Sequence, residues 1–325
     1  MKTFSEPSTC PTLQRYSLNG ETMGTRYTAV FYAPESLETT AIGANLFDAV
    51  DKVDRQMSTW NPASDLCRLN AAPENTWIAL PKELVHVLET GLEVNLQSNG
   101  AFDMTVGELV EAWGFGPSQR APSPQLAALQ NTTYRLAPAA LDVDRARQQV
   151  RKRAPITIDL SGIAKGYGVD QLAQCLDNWK ITSYLVGIDG EMRARGGKPD
   201  GTAWAVAIEK PTYGAREVSG VMELQDTAIA TSGDYRRWIE IAGKRYAHTM
   251  NPHLRHPVSN RVAAVTVLAS TCMLADAWAT ALLVLGEDDG ISLTRARGMD
   301  ALFVLREGDQ LEEVLILKGK LNDVS

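Results

Sequence analysis

Two periodicities organise the chain. In SLETTAIGANLFDAVDKVDRQM, apolar residues recur at helical spacing from Ile42 to Met57, which predicts an amphipathic helix. Ser36 is placed to cap its N-terminus, and Glu38 suits the positive end of the helix dipole. Thr39 stands where a full capping box would need Glu or Gln. KELVHVLETGLEVNLQSNG repeats the helical pattern and closes at Asn99-Gly100. AKGYGVDQLAQCLDNW reads as a further helix, and STCMLADAWATALLVLG as a strongly apolar one ended by Gly286. RYTAVFYA (26–33) instead alternates toward strand. SYLVGIDGEMRARG with its glycine turn, WAVAIEKP, EVSGVMELQDTAIATSG and RVAAVTVLA supply further strands, and a final helix–strand pair closes the chain.

Residues 1–15 form a polar lead-in. Over 117–150 periodicity fades and Pro, Ala, Gln and Arg dominate, so this stretch reads as a variable insertion with a short hairpin around TYRLAP and ALDVDR. Strands come in runs rather than in strict alternation with helices, which predicts an α+β fold over a doubly wound sheet. No linker divides the chain, so 16–325 is expected to be one compact unit.

Composition narrows the function classes. The chain has 325 residues, 44% hydrophobic and 22% charged, which is ordinary for a globular protein. A formal charge of −7 argues against a nucleic-acid surface, and any phosphate-bearing ligand would need a local cation or metal. The four cysteines (Cys10, Cys67, Cys175, Cys272) show no C-x-x-C spacing, and their disulfide status stays open. No stretch approaches the ~20 apolar residues of a membrane span. The N-terminal MKTFSEPSTCPTLQRYSLNG has no apolar signal-peptide region, so either a cytosolic protein or a processed exported one fits.

Candidate chemistry starts with the late helix. Asp276 and Thr280 are four apart, on one helix face, and both are hard oxygen donors suited to Mg²⁺ or Ca²⁺. The plain alternative is a solvated Asp and a back-bonded Thr, but the Ala- and Leu-rich surroundings predict burial, and a buried carboxylate needs a partner. DLSGIAKGY (159–167) offers a second wall: Gly162 leaves its carbonyl approachable, and Lys165 can meet an anion. A turn in which Asp159 and Ser161 cap a helix would explain the same residues. His248, near a strand end before Asn-Pro, matters if it faces the cavity of Asp276; His86, His253 and His256 read as structural or surface residues. Trp60, between turn residues, could stack on a flat ligand. GAFDMTVGELVEAWGFG and ATSGDYRRW serve either as core anchors or as parts of a site.

Taken together, ETMGTRY, MSTWNPASDLCRLN, GAFDMTVGELVEAWGFG, DLSGIAKGYGVD, VGIDGE, IATSGDYRRW, AHTMNP and ADAWATALLVLG stand in the order and spacing of the ApbE family, the FAD:protein FMN transferases. The resemblance runs from about Thr22 to Gly286 and beyond. It implies a single compact ApbE/T-fold-like unit with mixed, largely antiparallel sheets flanked by helices. It further implies Mg²⁺-dependent transfer of FMN from FAD to a threonine or serine hydroxyl of a partner flavoprotein, a redox-complex subunit, with release of AMP. Met23, Trp60, Ala101, Phe102, Asp103, Asp159, Lys165 and Thr249 match positions that hold FAD. Gly162, Asp276 and Thr280 match the metal ligands, and His248 the residue that deprotonates the incoming hydroxyl. The family habit is periplasmic. Asn251, the HLRHP turn, Trp60 in place of Tyr, and Asp189 in place of Gly depart from the common pattern. An Mg²⁺-dependent FAD pyrophosphatase and a non-catalytic flavin carrier are the competing readings; Trp60 argues against the first, and the Asp276, Thr280 and His248 set against the second.

Overall fold

The computed structural model describes residues 12–118, 120–123, 137–214, 216–308 and 310–322. Its frame is a nine-stranded sheet. In spatial order the strands are Leu13–Thr22, Thr25–Pro34, Tyr184–Ile188, Glu191–Arg195, Ala228–Gly233, Val262–Ala269, Asp300–Glu307, Gln310–Leu317 and Lys320–Asn322. Every strand pairing among the described residues is antiparallel, as runs of strands joined by short turns require. The chain leaves the sheet after Pro34 and returns at Tyr184; the excursion supplies most of the helices. The unit is α+β and single.

Helices Thr39–Met57 and Ala164–Asn178 pack together on the sheet. Ile42, Leu46 and Val50 meet Val169, Leu172 and Leu176 over Phe31 and Tyr184, so the apolar stripes read in the sequence are the buried faces. Helix Lys82–Gln97 and the late helix Cys272–Ala296 bury Leu84, Leu88, Ala277 and Ala281 in a second cluster with Phe303 and Val265. Asn99 and Gly100 take positive φ, 53° and 81°, at the end of the 82–97 helix. Gly286 breaks the late helix (φ 82°, ψ −169°), and a second helical segment then runs on to Ala296. The Asn260 side chain donates to the Leu283 carbonyl at 2.8 Å, satisfying an acceptor freed by that break.

Several local expectations are corrected. The first helix is capped by Glu38, whose carboxylate accepts from the Thr40 N–H at 3.0 Å. Ser36 falls in a turn closed by the Leu37 N–H on the Pro34 carbonyl, before the helix begins. Strand Leu141–Asp144 pairs with Gln149–Lys152, which also pairs with Trp77–Ala79, so the hairpin lies later than expected; residues 137–140 are helical, and 133–136 lie outside the described residues. The lead-in is described only from residue 12, and the first strand starts at Leu13. The late segment after Ala296 is a three-strand meander rather than one strand. Cys67, Cys175 and Cys272 are free thiols. Among the described residues no helix is long and apolar enough to cross a membrane.

Candidate functional site

Helix Ala164–Asn178 and the first segment of the late helix lie against each other, and their contact is built on glycine. A Cβ on Gly166 would collide with the Cys272 carbonyl and stand 2.8 Å from the Asp276 Cβ. That closeness lets the Gly166 N–H donate to Asp276 Oδ2 at 3.0 Å. A Cβ on Gly162 would stand 3.0 Å from Thr280 Oγ1 and 3.3 Å from the Phe102 ring. Asp276, Thr280 and Gly162 thus occupy one small volume, roofed by Phe102. Thr280 Oγ1 also shares a hydrogen bond with Ser232 Oγ at 3.1 Å, which leaves its remaining lone pair for another partner.

Asp276 is buried, and burial raises its carboxyl to about 7. The Glu191 charge pushes the same way, while Lys165 and the Gly166 N–H oppose it. Lys165 donates to Glu191 at 2.5 Å and lies 3.8 Å from Asp189. Burial pulls its ammonium down, but Glu191 and Asp276 outweigh that and hold it above the usual lysine value. Asp189, to which the sequence assigned no role, sits in the tight turn before Glu191 (φ 57°) and is shared with Arg236 at 3.4 Å.

His248 hangs from the end of the hairpin Trp238–Ile241/Lys244–Ala247. Its ring Nδ1 lies 3.2 Å from the Arg237 carbonyl, and its backbone N–H donates to the same oxygen at 3.1 Å. A carbonyl can only accept, so Nδ1 carries the proton and Nε2 keeps a lone pair. Burial lowers the imidazole to about 4, and the charges of Arg237 and Lys165 add to the effect. Phe115 meets the ring edge-on at 6.2 Å.

Of the other predicted residues, Phe102 lies beside Gly162. Phe102 and Ala101 are buried, with Phe102 fixed by Ser98 Oγ at its N–H (3.1 Å) and by Asn95 Nδ2 at its carbonyl (2.6 Å). Asp103 accepts from the Thr105 N–H and hydroxyl, both at 2.7 Å, and from the Ala137 N–H at 3.1 Å, so it shapes the loop. The Asp159 N–H donates to the Met104 carbonyl at 2.8 Å, tying the two segments together. The Asp159 carboxylate accepts from the Ser161 N–H at 2.8 Å, and burial raises its pKa. The helix begins later, at Ala164, without a side-chain cap, so Asp159 and Ser161 do not cap it. The Met23 methyl lies against Gly168. Trp60 is 52% exposed on the 58–61 turn, and Thr249 accepts through its carbonyl from the Val258 N–H. Among the described residues, neither the Trp60 ring nor the Thr249 hydroxyl makes a hydrogen bond or ring contact to the Asp276 group.

A family model for the ApbE family matches residues 23–303. The chain belongs to the ApbE family. It is 37% identical over 298 residues to the FAD:protein FMN transferase of Haemophilus influenzae, covering 89% of this chain and 86% of the relative. It is 31% identical over 299 residues to the enzyme of that name from Escherichia coli, covering 91% and 85%. The structure of the flavin transferase ApbE from Vibrio cholerae superposes with a TM-score of 0.85 at 34% identity, covering 94% of this chain and 97% of that one.

Three residues of this ApbE chain's centre escaped sequence reasoning: Gly166, Glu191 and Ser232. Gly166 did carry a signal. A glycine inside a helix costs stability, and it persists where another backbone must come close. Glu191 and Ser232 carry no local signal, because a strand residue's partners lie across the sheet.

Proposed function

We propose that this protein transfers the FMN half of FAD to a threonine or serine hydroxyl of a partner flavoprotein, releasing AMP, with Mg²⁺ held by Asp276, Thr280 and the Gly162 carbonyl. The observation that carries the reading is the contact of Gly162 with Thr280 one helical turn from the Asp276 carboxylate. Its donor chemistry fits the ion: one carboxylate, one hydroxyl and one carbonyl are hard oxygens, and three leave room for phosphate oxygens and water.

When bound there, Mg²⁺ supplies Lewis-acid polarisation of the pyrophosphate and offsets charge growing on the departing AMP. The remaining work falls to the chain. Lys165, held in place by Glu191, presents a cation toward the phosphates. Phe102 and the 101–106 loop exclude water from one side. Nε2 of His248 accepts the acceptor hydroxyl proton as the hydroxyl oxygen bonds to the riboflavin-side phosphorus and the pyrophosphate bond breaks toward AMP. A base near 4 is weak, but the anionic pyrophosphate brought beside it raises its affinity for a proton. The exposed Trp60 is free to stack on the flavin.

The test incubates the protein with FAD, Mg²⁺ and a candidate acceptor domain. An acceptor heavier by FMN less one water, with equal AMP, is expected. AMP without an adduct would assign hydrolysis instead, and neither product a flavin carrier.

A further inference from the structure

The late helix carries both Asp276 and Thr280, so whatever locates its first turn locates both donors. The leading N–H groups of a helix have no acceptors within it. Thr271 Oγ1 accepts one, from Leu274 at 3.3 Å. Two more go to a residue remote in sequence: Asp170 Oδ1 accepts from the Cys272 N–H at 3.0 Å, and Oδ2 from the Met273 N–H at 2.9 Å. Asp170 belongs to the helix Ala164–Asn178, whose first turn carries Lys165 and Gly166. Arg193, on the strand that begins with Glu191, donates to Asp170 Oδ1 at 2.6 Å and orients the carboxylate.

We propose that Asp170 is the positioning residue that sets the register of the Asp276- and Thr280-bearing helix against the Gly162 bend, and so fixes the spacing of the metal donors. The role rests on the metal reading above. Two helices joined only by the Gly166–Asp276 bond could pivot about it. The Asp170 bonds add a second tie at the N-terminal edge of the same helix, which removes the pivot. A carboxylate is needed because both oxygens accept N–H groups; an Asn would turn its NH₂ against one of them or against Arg193. The negative charge also complements the positive end of the helix dipole. Asp170 acts through the helix and does not touch the reacting atoms.

Mn²⁺ titration of the full chain loaded with FAD, which completes the coordination, followed by the loss of the free-ion EPR signal and paired with thermal melts, tests the role. Asp170→Asn is expected to weaken Mn²⁺ binding about tenfold, as displaced support for metal ligands does. Arg193→Gln is expected to weaken it less, in the same direction. A purely structural residue would lower the melting temperature without moving a constant measured well below it. A folded Asp170→Asn protein that binds Mn²⁺ like the parent overturns the role. If that variant does not fold, parent-like binding by Arg193→Gln overturns it. A parent that binds no Mn²⁺ overturns the metal reading itself, and the positioning role falls with it.

Discussion

The Gly166 N–H donates to Asp276 Oδ2 across 110 residues of sequence, so the buried carboxylate of the proposed metal site is aimed by a backbone group rather than by a side chain. Only a residue without a Cβ brings its backbone that close to the late helix.

Gly166→Ala should therefore separate the two helices. Overpacking of this kind costs about 1–3 kcal/mol, and the added methyl has the Cys272 carbonyl directly in its way. Urea unfolding should show that loss, and turnover should fall further than stability alone explains. A variant with parental stability and rate would mean the interface has slack.

Asp276→Asn keeps an oxygen for the Gly166 N–H but removes the charge. Burial and Glu191 both disfavour that charge, so the variant should fold at least as well as the parent at neutral pH. Its Mg²⁺-dependent turnover should drop by at least a factor on the order of a hundred, since losing a ligand costs more than losing its outer support. Unchanged half-saturation by Mg²⁺ would remove Asp276 from the site.

His248 should titrate near pH 4 in the free protein and higher once FAD is bound, which imidazole NMR signals can follow. Because its folded pKa lies below the unfolded value near 6.5, the unfolded chain binds more protons between those values. This group's contribution to stability is thus present above about pH 6.5 and fades as the pH falls toward 4. His248→Gln should lack that slope, retain FAD binding, and transfer FMN roughly 10²–10⁴-fold more slowly.

Trp60→Ala should leave stability within about 0.5 kcal/mol, as an exposed substitution does. Loss of flavin stacking should weaken FAD binding by about 1 kcal/mol, roughly fivefold. Flavin fluorescence quenching measures this, and parental affinity would place the indole off the flavin.

The helices from Ile42 to Met57 and from Lys82 to Gln97 were legible because apolar periodicity is a local property, and the packed core buries those same stripes. The residues proposed as donors were also legible as candidates: Asp276 and Thr280 one turn apart, a glycine at 162, a cation at 165. Where the local signal was shared between neighbours, the tertiary structure chose, as with Glu38 over Ser36 and with 149–152 as the partner of 141–144. Where these residues meet was decided by tertiary structure alone. Gly166 reaches Asp276, Asp170 reaches Cys272 and Met273, and Lys165 reaches Glu191 through bonds between segments 26 to 110 residues apart. Residue types state which groups can pair; only the packing of two helices on one antiparallel sheet brings them within hydrogen-bond distance.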